Sequence, residues 1–231
     1  MPLEPKLVIA GLLVGAVVGL TGMGGGSLMA PVLILFGLPP SSAIGTDLAY
    51  SAITKTVGAW RHHGFGHVNY TLVRWLATGS VPAAVLGVIT VKSVKADMGK
   101  DAEALIQHIL GATLLLVALA FAAKTFHSWA HDDRDINEVH PGPRGKAFAV
   151  VMGLVFGYLL GLTSVGSGTF FGMGLIVFYR LRAARVVGTD IVHAAILVWA
   201  GAIASALISH TVKLDTVAWL IVGSIPGILI G

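Results

Sequence analysis

The chain has 231 residues, 55% of them hydrophobic and only 11% charged, with fifteen Lys and Arg against eleven Asp and Glu and no cysteine. A soluble domain of this size carries about twice that charged fraction, and several apolar stretches approach the length of about 18 residues that marks a membrane span, so the chain reads as an all-α polytopic membrane protein. The absence of cysteine excludes disulfides, thiolate metal sites and cysteine nucleophiles, and no basic run suits nucleic acid.

The N-terminal "MPLEPK" has neither a clustered positive region nor a small-residue cleavage site. The first apolar run is therefore read as retained rather than as a signal peptide. That run covers residues 7–20, about 21 Å of helix at 1.5 Å per residue, and a second run at 28–36 would give about 14 Å. Neither reaches across a hydrocarbon core of about 30 Å. Between them, "GLTGMGGGSLMAP" places Gly22, Gly24, Gly25 and Gly26 directly before Ser27. The two arms predict a re-entrant hairpin with a glycine tip at mid-membrane. Irregular backbone at that depth is tolerated where it lines a cavity or is buried in protein. Glycine lets a ligand approach bare N–H groups, and the N-terminus of the second arm offers unpaired donors with a partial positive charge. Ser27 is a natural cap or ligand hydroxyl there. The competing reading is that the glycines serve only close helix packing.

Next comes Gly45-Thr46-Asp47 at the start of an apolar helix. Thr46 as N-cap with an acid in the first turn would satisfy the helix end. Alternatively, Asp47 carries protons beside the anion site, since intramembrane acids are costly and usually functional. Lys55 lies on nearly the same helical face, eight residues on. It is expected to snorkel to the interface near Arg61, or, if turned inward, to attract anions along the pathway. Arg74 carries the same ambiguity. The histidines of "HHGFGH" (62–67) are expected to lie in a loop, and a further apolar helix follows at 104–126. The polar segment 127–146, with His127, His131, Asp132, Asp133 and His140, fits no known metal spacing and reads as a soluble cytoplasmic linker.

Beyond the linker the chain repeats itself. "GLTGMGGG" (19–26) returns as "GLTSVGSG" (161–168), Gly45-Thr46-Asp47 as Gly188-Thr189-Asp190, and "WLATGSVPAAVLG" (75–87) as "WLIVGSIPGILIG" (219–231). The short arms recur at 148–162 and 169–178, flanking a tip with Ser164, Gly166, Ser167, Gly168 and Thr169. Thr189 and Asp190 carry the same alternatives as Thr46 and Asp47. His193 could titrate near neutral pH, although a single His on a packed helix is more often structural. The organisation is thus a first repeat at 1–126, the linker at 127–146 and a second repeat at 147–231, which lacks the equivalent of the first repeat's final helix.

Loop charges set the relative orientation. "GLPPSSAI" is uncharged while its counterpart "YRLRAARVV" carries Arg180, Arg182 and Arg185; the next loop reverses the bias, "WRHHGFGH" against "LISHTVK". Basic loops favour the cytoplasm, so equivalent loops lie on opposite sides. Two inverted repeats follow, each a re-entrant hairpin plus about three transmembrane helices. Two opposed tips would form an anion site at the midplane without a full countercharge.

The block "GLTGMGGGSLMAPVLILFGLPPSSAIGTDL", echoed by "GLTSVGSG…ARVVGTD", resembles the sulfite exporter TauE/SafE family of membrane permeases over nearly the whole chain. The resemblance implies a bacterial inner-membrane transporter of sulfite, sulfonates or related sulfur anions, coupled to the proton gradient. The expected partners are a small anion and the lipid bilayer, with no cofactor, metal or nucleic acid. A passive anion channel of the same architecture is the alternative. No motif supports an enzyme.

Overall fold

The computed structural model describes residues 3–21, 28–64, 66–99, 101–128, 142–168 and 170–230. Among these every regular element is helical: α1 (Leu3–Thr21), α2 (Met29–Leu35), α3 (Pro40–Gly64), α4 (Tyr70–Met98), α5 (Asp101–Ser128), α6 (Pro143–Thr163), α7 (Phe170–Tyr179), α8 (Ala183–Ala204), which runs on into a π-helical turn at Ser205–Ser209, and α9 (Leu214–Ile230). The segments Tyr70–Met98, Asp101–Ala120, Pro143–Thr163 and Ala183–Ser209 are long and apolar enough to cross a membrane. Large side chains such as Leu35, Leu115, Leu119, Leu207 and Leu229 face outward, while Asp47, Lys55, Asp190 and His193 are buried. A water-soluble core has the opposite arrangement, and apolar exteriors of this extent belong to a bilayer. The protein is a multi-pass membrane protein.

Two helix pairs form the frame, α1 on α9 and α4 on α6. Both depend on missing side chains. A Cβ at Gly11 would strike the backbone of Leu220, and one at Gly15 the backbone of Ser224; at Gly153 and Gly157 the same atom would strike Leu76 and Ser80. From the other side, Gly223 meets Val8 as Gly79 meets Val150. Small residues one turn apart let the backbones touch, and dispersion between them holds helices that lipid would otherwise solvate equally well. The contacts also correspond position by position between the two copies of the sequence repeat. Helix α3 packs on α8 with Leu48 against Gly201 and Gly58 against Ile191, so these equivalent helices run antiparallel.

Helix α7 runs back along α6. Phe170 stacks on Phe156 at 4.8 Å and Phe178 meets Phe148 at 4.4 Å. The Tyr179 hydroxyl donates to the Gly145 carbonyl at 2.6 Å, so α7 ends beside the start of α6.

Three expectations change. The first arms are 19 and 21 residues long as α1 and α6, about 29 and 32 Å, so the argument that they are too short to span fails. An apolar run measures the greasy part of a helix; the backbone ladder continues through Glu4 and Lys6, and through Arg144 and Lys146 behind Pro143 at the first helical turn. Secondly, α3 starts at Pro40 and α8 at Ala183, so Thr46 and Thr189 sit inside their helices and cap neither. The cap of α3 comes from elsewhere: the Ser41 N–H and hydroxyl donate to Glu103 at 2.9 and 2.6 Å, and Lys95 pairs with Glu103 at 2.9 Å. Thirdly, α5 and α6 extend into the linker from both ends, and residues 129–141 of it lie outside the described part.

Replacing Gly157 or Gly15 with Val should destabilise the protein by about 2 kcal/mol or more, because the facing backbone cannot yield. Gly111→Val, where an added Cβ meets nothing within 4 Å, should leave the unfolding temperature in detergent unchanged. Equal shifts for the three variants would contradict the packing account.

Candidate functional site

The Gly-Thr-Asp triplets acquire their roles from the opposite repeat. Each glycine makes room for a loop: a Cβ at Gly45 would strike Thr211, and one at Gly188 would lie 2.7 Å from the His67 carbonyl. Each threonine accepts a backbone N–H just beyond that loop, Thr46 from Lys213 at 3.1 Å and Thr189 from Asn69 at 2.9 Å. Asn69 is the N-cap of α4, its side chain accepting the Leu72 N–H. Each aspartate faces the start of a short helix. The Ala30 N–H in the first turn of α2 is directed at the Asp47 carboxyl, and the Gly168 N–H before α7 at that of Asp190. Carboxylates at such ends are favoured by the partial positive charge there.

One turn further on, α3 and α8 each send a side chain to a serine of the repeated α4/α9 block. The Tyr50 hydroxyl meets Ser224 Oγ at 2.6 Å, and His193 Nε2 meets Ser80 Oγ at 2.8 Å. The His193 ring stands edge-on to Phe171 at 4.4 Å. All four polar partners are fully buried or nearly so.

Lys55 breaks the correspondence. It is 1% exposed, which overturns the expectation that it snorkels to the interface. Its ammonium donates to Ser167 Oγ in the second-repeat tip. Asp190, Asp47 and His193 all lie within its electrostatic reach, yet neither carboxylate forms an ion pair with it within 4 Å among the described residues. Ser51 donates to Asp47 Oδ1 at 3.2 Å, and the Ser164 hydroxyl lies beside Asp47 without reaching bonding geometry. Four buried polar atoms of this cluster have no hydrogen-bond partner among the described residues: Asp47 Oδ2, Asp190 Oδ1, Ser164 Oγ and His193 Nδ1. Each orphaned neutral group costs about 1–3 kcal/mol, and charged ones more.

The tip itself is Ser164 at φ 60°, followed by Gly166 at φ 112° and Gly168 at φ 95°. A side chain at either glycine would be strained. Several tip donors are already engaged, the Ser164 N–H with Leu160 and the Val165 N–H with Thr163. The structure thus brings Lys55 to a tip that sequence reasoning pictured as offering backbone N–H groups and hydroxyls without a full countercharge. Gly22, Gly24, Gly25, Gly26, Ser27 and Thr169 lie outside the described residues. Thr46 and Thr189 hold the loops. Asp47, Lys55, Asp190, His193, Ser164 and Ser167 come together. Ser51, Ser80 and Tyr50 were missed, although Ser80 recurs as Ser224 in the repeated block. Arg74 is exposed, and no group of His, Asp and Glu suited to a metal ion occurs among the described residues.

A family profile described as "Sulfite exporter TauE/SafE" matches residues 7–231. The chain is similar to the "Probable membrane transporter protein YjnA" of Bacillus subtilis, with 40% identity over 98% of this chain and 88% of that protein. It is also similar to the "Probable membrane transporter protein YdhB" of the same organism, with 25% identity over 79% and 71% of the two chains. A third relative is the "Probable membrane transporter protein MJ0441" of Methanocaldococcus jannaschii, 27% identical over 72% of this chain and 59% of its own. No solved structure matches.

Thr189→Val keeps the shape of the side chain and removes the acceptor for the Asn69 N–H. It should lower stability by about 1 kcal/mol, as should Thr46→Val at the equivalent bond. A chemical or thermal melt in detergent checks both; no change in either variant would mean that solvent replaces the bond.

Proposed function

The chain belongs to the sulfite exporter TauE/SafE family, and from that premise we propose that it exports sulfite or a related sulfur-containing anion such as a sulfonate, binding it at Lys55 and the tip Ser164–Gly168. The observation that carries this reading is the buried ammonium of Lys55, bonded to Ser167, with Asp47 and Asp190 in its field that each hold an oxygen without a partner among the described residues. An oxyanion would accept from Lys55, Ser164 and Ser167 together. Charge-assisted bonds of this kind are about twice as strong as neutral ones. Gly22, Gly24, Gly25, Gly26, Ser27 and Thr169 are proposed to complete the site from the two tips, with Gly166 and Gly168 leaving the approach clear.

The architecture proposed for transport is a pair of inverted repeats. It is supported by the antiparallel course of α3 and α8, which are equivalent in the sequence repeat, and by the exchanged contacts Thr46–Lys213 and Thr189–Asn69. Mutual contacts of the form i with j′ and i′ with j are what a two-fold relation produces. A re-entrant second hairpin is supported by the return of α7 to Gly145. In such folds, rocking one repeat against the other exposes a central site to alternate sides. Proton coupling is proposed to run through Asp47 and Asp190, whose free oxygens are natural proton seats beside the anion.

The test is sulfite flux in proteoliposomes with matched protein incorporation. Lys55→Met should abolish flux while the protein still inserts, and Gly168→Leu should do the same. Ser167→Ala should weaken binding by about 1 kcal/mol, roughly fivefold. Wild-type flux from Lys55→Met would remove this site from the mechanism. Flux indifferent to a protonophore would favour a passive anion channel.

A further inference from the structure

Charge counting within the cluster limits what the site accepts. The ammonium of Lys55 is its one fixed positive charge among the described residues, and Asp47 and Asp190 both lie within its field. Among the described residues the groups facing it are Asp47 from α3, Asp190 and His193 from α8, and Ser167 from the tip. Ser80, from α4, reaches His193 and brings no charge. Lys55 can balance a single negative charge. Any ionised carboxylate of the cluster repels an entering anion, and in a dry site a doubly charged anion is repelled about twice as strongly as a singly charged one while gaining its attraction from the same single ammonium.

We infer that Asp47 and Asp190 act as a charge filter, so that the site takes singly charged sulfur oxyanions, sulfonates and hydrogen sulfite, and rejects doubly charged ones. This rests on the anion site proposed above and gives the acids a role in selectivity beyond any part in proton transfer. Repulsive elements of this kind discriminate between ligands whose attractive contacts are alike. Methanesulfonate and sulfate make the comparison clean, because both present a tetrahedral sulfur head and neither changes charge near neutral pH.

The experiment measures binding of each anion to the purified full chain in detergent at constant ionic strength, with size-exclusion profiles confirming the folded state. Wild type should prefer methanesulfonate over sulfate by about tenfold or more, and Asp190→Asn and Asp47→Asn should each shrink that ratio by about fivefold or more. Asp190→Glu, which keeps the charge, should retain the preference. A wild-type ratio near one, or a preference unchanged in both Asn variants, overturns the filter while leaving the anion site standing. If one Asn variant fails to fold, the wild-type ratio and the other variant still decide. Failure of wild type to bind either anion would remove the site itself, and the filter with it.

Discussion

A lysine ammonium held 1% exposed inside a membrane protein constrains everything around it. Desolvating such a charge costs several kcal/mol even after relaxation, so neighbouring groups must return that energy through hydrogen bonds and opposite charge. Lys55 receives a serine hydroxyl from the tip and the fields of two aspartates. The compensation is incomplete, since no carboxylate closes to an ion pair within 4 Å among the described residues. A cluster built for stability alone would collapse the gap. In the anion site proposed above, that open geometry leaves the charge available to a ligand, and the packed helices keep the cluster from closing on itself.

That rigidity comes from backbone contact rather than large side chains. Along α4–α6 and α1–α9, glycines at four-residue spacing remove the side chain that would hold the helices apart. Lipid tails are as apolar as leucine, so burying more leucine would not hold these helices together, whereas backbone contact and cross-helix hydrogen bonds do. The same frame seats Ser80 and Ser224 opposite His193 and Tyr50. Packing and polar positioning are thus achieved by the same stretch of sequence. The glycines that matter for packing are mostly in the long helices, while Gly166 and Gly168 of the second tip adopt positive φ.

The repeat was legible because similar blocks recur in the same order, and it drew attention to Asp47, Asp190 and the tip, of which Asp47, Asp190, Ser164 and Ser167 gather around Lys55. The lengths of the first arms were not legible, because helices run on through polar interface residues such as Lys6 and Lys146 that carry no apolar signal. Thr46 and Thr189 looked like caps because they precede an acid and an apolar run. Their true partners, Lys213 and Asn69, lie 167 and 120 residues away in sequence, and no local pattern encodes such a pairing. Lys55 was misread for a related reason. A lone lysine in a helix snorkels unless something inside holds it, and what holds it is Ser167, 112 residues on. One hint was available: Lys55 shares a helical face with Asp47, a residue already judged costly to bury.

The two repeats share a frame but differ in their chemistry. Asp47 and Asp190 correspond, as do Ser80 and Ser224, yet Lys55 stands where the second repeat has Val198, Tyr50 where it has His193, and Ser164 and Ser167 where the first has Gly22 and Gly25. The cation comes from one repeat and the hydroxyl it bonds from the other. Two lysines at equivalent positions would crowd like charges into one dry space, where they repel far more strongly than in water. The repeated sequence supplies matching contacts such as Thr46–Lys213 and Thr189–Asn69, and divergence leaves one buried lysine, Lys55, among the described residues of the cluster.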